Sequence, residues 1–127
     1  MTQAEWKKIV TRLDRMFSEY VRRRAIARSG GCERCHKPKR WQDLQCAHMF
    51  SRRGLSTRWL EEDAAGLCGG DHMFLDSHPI EKIEFFKALL GEDRFQLLNI
   101  TAHMAAKPDY KLIELYLKQL LEGVDNG

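Results

Sequence analysis

The chain has 127 residues, of which 43% are hydrophobic and 31% charged, and its net charge is +3. This length suits one domain with a single core, so one domain is expected. No apolar run approaches the roughly 20 residues needed to cross a bilayer, which excludes a membrane-spanning protein. The charge is uneven, because residues 1–60 carry 15 Lys and Arg against 5 Asp and Glu, while residues 61–127 carry 6 against 13. A basic half beside an acidic half indicates a face that meets a polyanion, although a solvated charged helix gives the same pattern.

The first predicted element is a long amphipathic helix over residues 1–30. Apolar residues recur at spacings of three and four from Trp6 to Val21, and Gly30 follows as a helix-ending glycine. The opposite face is expected to carry the basic residues Lys7, Lys8, Arg12, Arg15, Arg22, Arg23, Arg24 and Arg28. The first ten residues lack the apolar core of a secretory signal, so we expect a cytoplasmic protein.

Residues 31–79 form the second part, which is rich in Cys, His, Arg and Gly and shows little helical periodicity. Residues 41–50 are predicted to form either two short strands or one arm of a hairpin, with Leu44, Cys46 and His48 alternating onto one face. Such an irregular segment buries too little apolar surface to fold by itself, so something else must hold it together.

Helical periodicity returns after Pro79. We predict one helix over residues 80–90, a second over residues 93–106 and a third that begins near Pro108 and ends by Gly123, followed by a frayed polar tail over residues 123–127. The expected fold is a single domain of the α+β class, mostly α, with two or three C-terminal helices over residues 80–123.

All four cysteines lie between residues 32 and 68, and in a chain without a secretion signal this favours metal binding over disulfides. Cys32 and Cys35 have the spacing of a zinc knuckle, and Cys68 and Asp71 form a matching pair in which a carboxylate replaces a thiolate. Cys46 is the competing fourth ligand. A structural Zn²⁺ on these residues would explain how the irregular segment stays folded, and a metal-free knuckle is the alternative.

The order of these motifs resembles the zinc-bearing branch of the HNH, or ββα-metal, nucleases, most closely the phage recombination nucleases of the NinG/Rap type. The resemblance covers about 48 residues. It is carried by Cys32-x-x-Cys35, Leu44-Gln-Cys-Ala-His48-Met-Phe-Ser51-Arg52-Arg53, Thr57-Arg58-Trp59 and Asp63-Ala-Ala-Gly-Leu-Cys68-x-x-Asp71-His72. It implies a zinc-knuckled ββα-metal core over residues 31–79.

The resemblance also implies a catalytic site. His48 matches the histidine that activates water for attack on a phosphodiester, because an imidazole accepts a proton near neutral pH. His72 and His78 are the expected ligands of a catalytic divalent metal, either Mg²⁺, Mn²⁺ or another transition metal. Asp63 occupies about the position of the central Asn of the family signature, where it would bind the cation or orient His48. Ala47 replaces a residue that is a metal ligand in many members.

The basic loop after His48 fits phosphate handling, because the guanidinium fork matches phosphate oxygens. Arg53 and Arg58 are expected to affect turnover most. The expected contacts to DNA are Arg22, Arg23, Arg24, Arg52, Arg53 and Arg58.

The leading hypothesis is therefore a metal-dependent DNA endonuclease that acts on branched recombination intermediates if the resemblance extends to the substrate. A symmetric homodimer would suit paired incisions across a junction, and a phage-encoded protein would act in the host cytoplasm. A catalytically inactive, zinc-stabilised nucleic-acid-binding module is the main alternative, favoured by Ala47 and Asp63. A third hypothesis is a helical interaction protein in which the Cys/His segment is only a structural clip.

Overall fold

Five helices and a two-stranded antiparallel sheet make up residues 1–126, the part of the chain that the computed structural model describes. In chain order the elements are α1 (Gln3–Ser29), β1 (Gln45–His48), β2 (Ala64–Leu67), α2 (Gly69–Ser77), α3 (Pro79–Leu90), α4 (Glu92–Ala102) and α5 (Tyr110–Asn126). The expected α+β, mostly helical class is confirmed. None of the described helices combines the length and the apolar character needed to cross a membrane.

Helix α1 has well-defined ends. The Thr2 hydroxyl accepts a hydrogen bond from the Glu5 N–H at 3.1 Å, which caps the N-terminus. Gly30 follows the last turn and donates its N–H to the Ile26 carbonyl. Its φ of +70° lies in the left-handed region, which glycine adopts without strain because it has no side chain. The apolar stripe of α1 packs against α5, Trp59 and the sheet, and its buried members are Val10, Leu13, Phe17, Tyr20 and Val21.

The sheet lies between two hydrophobic clusters. In β2, Ala65 and Leu67 belong to the cluster formed with α2, α3 and α4. Gly66, between them, lies against α1, where an added Cβ would come within 2.6 Å of the Ala25 Cβ. Glycine at this position therefore lets α1 approach the sheet closely.

Of the two alternatives for residues 41–50, the structure has a single arm that pairs with another strand, and the prediction of two strands in this segment is wrong. Residues Trp41–Asp43 form a single 3₁₀ turn, and only Gln45–His48 form a strand, which pairs with β2 instead of with a neighbour in the same segment. Cys46 packs in the cluster with α1, whereas Leu44 packs in the cluster with α2 to α4. Leu44 precedes the strand, so the two-residue alternation does not extend to it.

The three C-terminal helices are confirmed, with two differences at their ends. Helix α4 ends at Ala102, four residues earlier than predicted. Helix α5 continues through Gly123 to Asn126, so the predicted frayed tail is wrong up to that residue, and Gly127 lies outside the described residues. Val124 packs against the α1 cluster, which gives the last turn of α5 a reason to form.

Candidate functional site

Four side chains on two separate stretches of chain meet in a cluster that could hold a metal ion. One ligand atom each from Cys32, Cys35, Cys68 and Asp71 lies within 4.8 Å of all the others. The Cys35 and Cys68 sulfurs are 3.9 Å apart, and the Cys32 sulfur lies 3.2 Å from Asp71 Oδ2. Tetrahedral Zn–S bonds of the usual length place neighbouring ligands about 3.8 Å apart, so the spacing and the donor set fit such an ion.

Backbone hydrogen bonds shape the turn that presents the first two cysteines. The Cys32 N–H donates to the Lys37 carbonyl, and the His36 N–H donates to the Cys32 carbonyl with His36 in the left-handed region at φ +61°. Glu33, inside the turn, is buried, and its carboxylate accepts from the Gly66 N–H at 2.7 Å. This bond, together with one from the Glu33 N–H to the Gly66 carbonyl, fastens the turn to β2.

The fourth member of the cluster is Asp71, and Cys46 lies elsewhere. Burial acts to raise the pKa of Asp71, but hydrogen bonds from Cys32, Cys35, Arg34 and Cys68 lower it to about 2, so the carboxylate is ionised and ready to accept a cation. Cys46 lies beside α1, where burial raises the pKa of its thiol to about 12. Of the two alternatives for the fourth ligand, the structure brings together the set with Asp71.

A pocket of about 580 Å³ lies between α1, β1, the loop that follows β1, and α2. Its lining residues are Asp14, Phe17, Ser18, Cys46, His48, Phe50, Ser51, Arg52, His72, Asp76 and Lys82. This pocket gathers two of the histidines that the sequence singled out, His48 and His72.

His48 is the last residue of β1, and a hydrogen bond to its ring selects one of its two neutral tautomers. Its Nε2 lies 3.1 Å from the Arg58 carbonyl oxygen. Because a carbonyl can only accept, Nε2 carries the hydrogen, and Nδ1 has no hydrogen-bond partner among residues 1–126. Burial lowers the pKa of His48 below its ordinary value. The ring is therefore neutral near pH 7, with an unprotonated nitrogen available in the pocket.

His72 and Asp76 stand one turn apart on α2 and form a second pair of potential ligands. His72 Nε2 lies 3.3 Å from Asp76 Oδ2. His72 Nδ1 donates to Gln45 Oε1 at 2.7 Å, which leaves the Nε2 lone pair free to coordinate a metal. Asp76 was not predicted from the sequence. Its signal was the four-residue spacing from His72 on a helix, which places both side chains on one face.

Two other residues expected at the catalytic centre do not line the pocket. His78 stacks on Phe74 with ring centres 4.0 Å apart, and its Nδ1 donates to the Phe74 carbonyl. Asp63 is fully buried, and its Oδ1 accepts from the Phe50 N–H at 2.9 Å. Asp63 thus holds the backbone of Phe50, two residues after His48, and its hydrogen bond is not to the His48 ring.

The arginines divide into internal and exposed groups. Arg24 is buried and donates to the carbonyls of Glu61 and Ala64, which corrects the expectation that it lies on the exposed face and reaches DNA. Arg58 is paired with Asp14, and Arg23 with Glu19 and Asp125. The remaining expected contacts are exposed or half-exposed, with Arg52 at the pocket, 3.8 Å from Asp14, Arg53 beside it in the loop, and Arg22 over Trp41.

Comparisons of this chain with protein-family models, with curated proteins and with solved structures find no match. What the chain does must therefore be inferred from the chemistry of its residues. The pocket combines a neutral imidazole, an imidazole–carboxylate pair and a nearby arginine. These groups can accept a proton and pair with an anion, and the imidazole–carboxylate pair offers two atoms of the kind that ligate divalent cations.

Proposed function

We propose that this protein is a metal-dependent DNA endonuclease of the HNH type, with His48 as the general base. The observation that carries the proposal is the free Nδ1 of His48 in the pocket that also contains His72 and Asp76. The unit that supplies these residues is two antiparallel strands followed by a helix, in the order β1, β2 and α2.

The residues divide the work of phosphodiester hydrolysis. His48 Nδ1 takes a proton from the attacking water, which its neutral state at physiological pH permits. His72 and Asp76 would hold the catalytic divalent ion, in place of the expected pair His72 and His78. When bound, such an ion polarises the scissile phosphate and stabilises the departing oxygen. An ion of this kind needs few protein ligands, because water and phosphate oxygens complete its shell.

The proposed substrate is a nucleic acid, because the arginine side chains at the pocket can pair with its phosphate groups. Arg52 lines the pocket with 60% of its side chain exposed, and Arg53 is exposed in the same loop. Arg22 lies farther along α1 and bonds Ser18, which also lines the pocket. Together they form a cationic path toward the site, and branched recombination intermediates are the substrate class suggested by the family resemblance.

The cysteine cluster would hold a structural Zn²⁺. The thiolate-rich donor set with Asp71 suits zinc better than Mg²⁺ or Mn²⁺, which prefer oxygen ligands. The protein would act in the cytoplasm, in that of the host if it is phage-encoded, and a homodimer would allow paired cuts across a junction.

The test is cleavage of supercoiled plasmid and of a synthetic four-way junction, with EDTA, Mg²⁺, Mn²⁺ or Ni²⁺. We expect metal-dependent cutting that falls by about 100-fold or more in His48→Ala, since the variant lacks the general base. His103→Ala, which removes an exposed imidazole outside the pocket lining, should cut like the wild type.

The alternative function predicts a different result. A zinc-stabilised binding module would bind DNA with an affinity that falls steeply with salt, and would not cut it with any ion. That outcome would overturn the nuclease proposal. Ala47 favours this alternative, since its methyl group offers no metal ligand and is buried in the core.

A further inference from the structure

Asp14, in the middle of α1, accepts three hydrogen bonds from two consecutive residues of the loop after β1. Its Oδ1 accepts from Arg58 Nε at 2.9 Å and from the Trp59 indole N–H at 2.9 Å. Its Oδ2 accepts from Arg58 Nη2 at 2.6 Å. The Arg58 and Asp14 side chains are only 16% and 21% exposed. A partly buried carboxylate with three charge-assisted or indole donors holds its partners firmly.

The peptide group held by this arrangement is the one that contacts His48. The carbonyl oxygen of Arg58 belongs to the peptide bond between Arg58 and Trp59, and both of these residues are anchored to Asp14 by their side chains. Arg58 Nη1 also donates to the Arg52 carbonyl at 2.8 Å, so all three guanidinium nitrogens are engaged. The acceptor of His48 Nε2–H is thus fixed on both sides.

Helix α1 contacts the His48 ring directly as well. The Phe17 ring, one turn after Asp14, lies 5.6 Å from the His48 ring. The ring is therefore constrained by the neighbouring Phe17 ring and by the Arg58 carbonyl at Nε2. Both constraints depend on α1, which lies outside the ββα unit that supplies His48.

We propose that Asp14 is a positioning residue for His48: through Arg58 and Trp59 it holds the carbonyl that selects the Nε2–H form and leaves Nδ1 free as the base. Arg58 then acts as a clamp within the loop and not as a ligand of the substrate phosphate. The kinetic part of this inference rests on the proposed nuclease function, whereas the tautomer of His48 can be observed without any substrate.

The direct test is nitrogen-15 NMR of the histidine rings in the full chain. In the wild type we expect His48, assigned by the loss of its signals in His48→Ala, to be the Nε2-protonated form. Asp14→Asn removes the negative charge and one of the two oxygens that accept hydrogen bonds from Arg58 and Trp59. His48 should then be a mixture of the two tautomers. Asp14→Glu should restore the wild-type form at least in part, because it keeps the carboxylate.

Kinetics on DNA provide the second readout. Asp14→Asn should lower kcat by about tenfold or more, since the base is misdirected. Asp14 Oδ2 also lies 3.8 Å from Arg52 Nη1, so kcat at saturating DNA, and not KM, is the readout of the positioning role. The matched control is Glu114→Gln. Glu114 also pairs with an arginine through both carboxylate oxygens, in this case Arg12 of α1. This control should leave both the His48 signals and kcat unchanged.

Each result decides one question. If His48 keeps a pure Nε2–H signal in a folded Asp14→Asn protein, the positioning role is overturned, whatever happens to kcat. If the wild type does not cleave DNA, the nuclease proposal fails and the NMR comparison alone decides the role of Asp14. Should Asp14→Asn not fold, Arg58→Lys breaks the same clamp from the loop side, and the same tautomer mixture is expected.

Discussion

Asp63 shows how one buried carboxyl group fixes the backbone beside the pocket. Its Oδ1 accepts from the Phe50 N–H, and its carbonyl accepts from the Met49 N–H at 2.8 Å, so it ties the two residues after His48 to the start of β2. Its Oδ2 is buried with no hydrogen-bond partner among the described residues. Burial raises the pKa of Asp63 to about 8, so the folded protein keeps this group protonated at neutral pH.

This raised pKa predicts a pH-dependent stability. Unfolded Asp63 loses its proton near the ordinary pKa of 3.8, whereas the folded group keeps it until about pH 8. Its stabilising contribution is therefore complete below about pH 4, declines as the pH rises, and is lost above about pH 8. Asp63→Asn keeps an oxygen for the Phe50 N–H and removes the titration. Relative to wild type, the variant should gain up to a few kcal/mol in the free energy of unfolding between about pH 4 and pH 9.

Urea unfolding at several pH values measures this difference. Asp93→Asn makes the same change at an exposed carboxylate, at the start of α4, and serves as the control. A difference for Asp63→Asn that does not change with pH would show that the buried carboxyl group is ionised in the folded protein.

At the scale of elements, α2 connects the cysteine cluster to the pocket. Asp71 belongs to the cluster, and His72, the next residue, lines the pocket with Asp76. Consecutive residues point about 100° apart around a helix, so one helix can serve two sites on different sides. Any rotation of α2 would disturb both. The sheet resists such a rotation through the bond between Gln45 in β1 and His72.

We predict that Gln45→Ala weakens divalent-metal binding at His72 and Asp76 by about tenfold, because the His72 ring loses the acceptor that fixes its tautomer. Calorimetric titration of Mn²⁺ into protein with a filled cysteine cluster measures this affinity. Gln42→Ala, an exposed glutamine in the turn before β1, is the control and should bind Mn²⁺ like the wild type. Equal affinities in the two variants would show that Gln45 does not orient the metal ligand.

The sequence predicted elements better than the contacts between them. The three-and-four spacing located α1 and the C-terminal helices, and the Cys-x-x-Cys spacing located the metal-binding turn, because both are local patterns. Asp76 and the Asp14–Arg58 pair were missed, since residues 14 and 58 meet only after the loop folds back onto α1. The burial of Arg24 was missed for a similar reason, because its carbonyl partners lie 37 and 40 residues away.

At the scale of the whole molecule, the cysteine cluster joins the end of α1 to the beginning of α2. One hydrophobic cluster holds α1, α5 and Trp59 together, and the other packs the sheet against α2, α3 and α4. Cys32 belongs to the second cluster and follows α1 directly, so it links the two halves of the fold. A metal ion bound there would close a loop of more than thirty residues that contains little regular structure.

This arrangement predicts that Cys35→Ser loses the metal and that Cys46→Ser keeps it. Cys35→Ser removes an exposed thiol of the cluster, whereas Cys46→Ser removes a thiol outside it. We expect one bound zinc per chain in the wild type and in Cys46→Ser, and none in Cys35→Ser, whose Tm should fall by roughly 10 °C or more because several kcal/mol of binding free energy are lost. Chelator treatment of the wild type should lower Tm in the same way.

Elemental analysis and thermal unfolding distinguish the possible ligand sets. Zinc retained in Cys35→Ser but lost in Cys46→Ser would place Cys46 in the metal shell and would contradict the cluster seen here. Zinc absent from the wild type, with Tm unchanged by the chelator, would mean that hydrogen bonds such as the two between Glu33 and Gly66 hold the turn without a metal. The fall in Tm on chelation therefore measures how much of the fold between residues 32 and 71 depends on the ion.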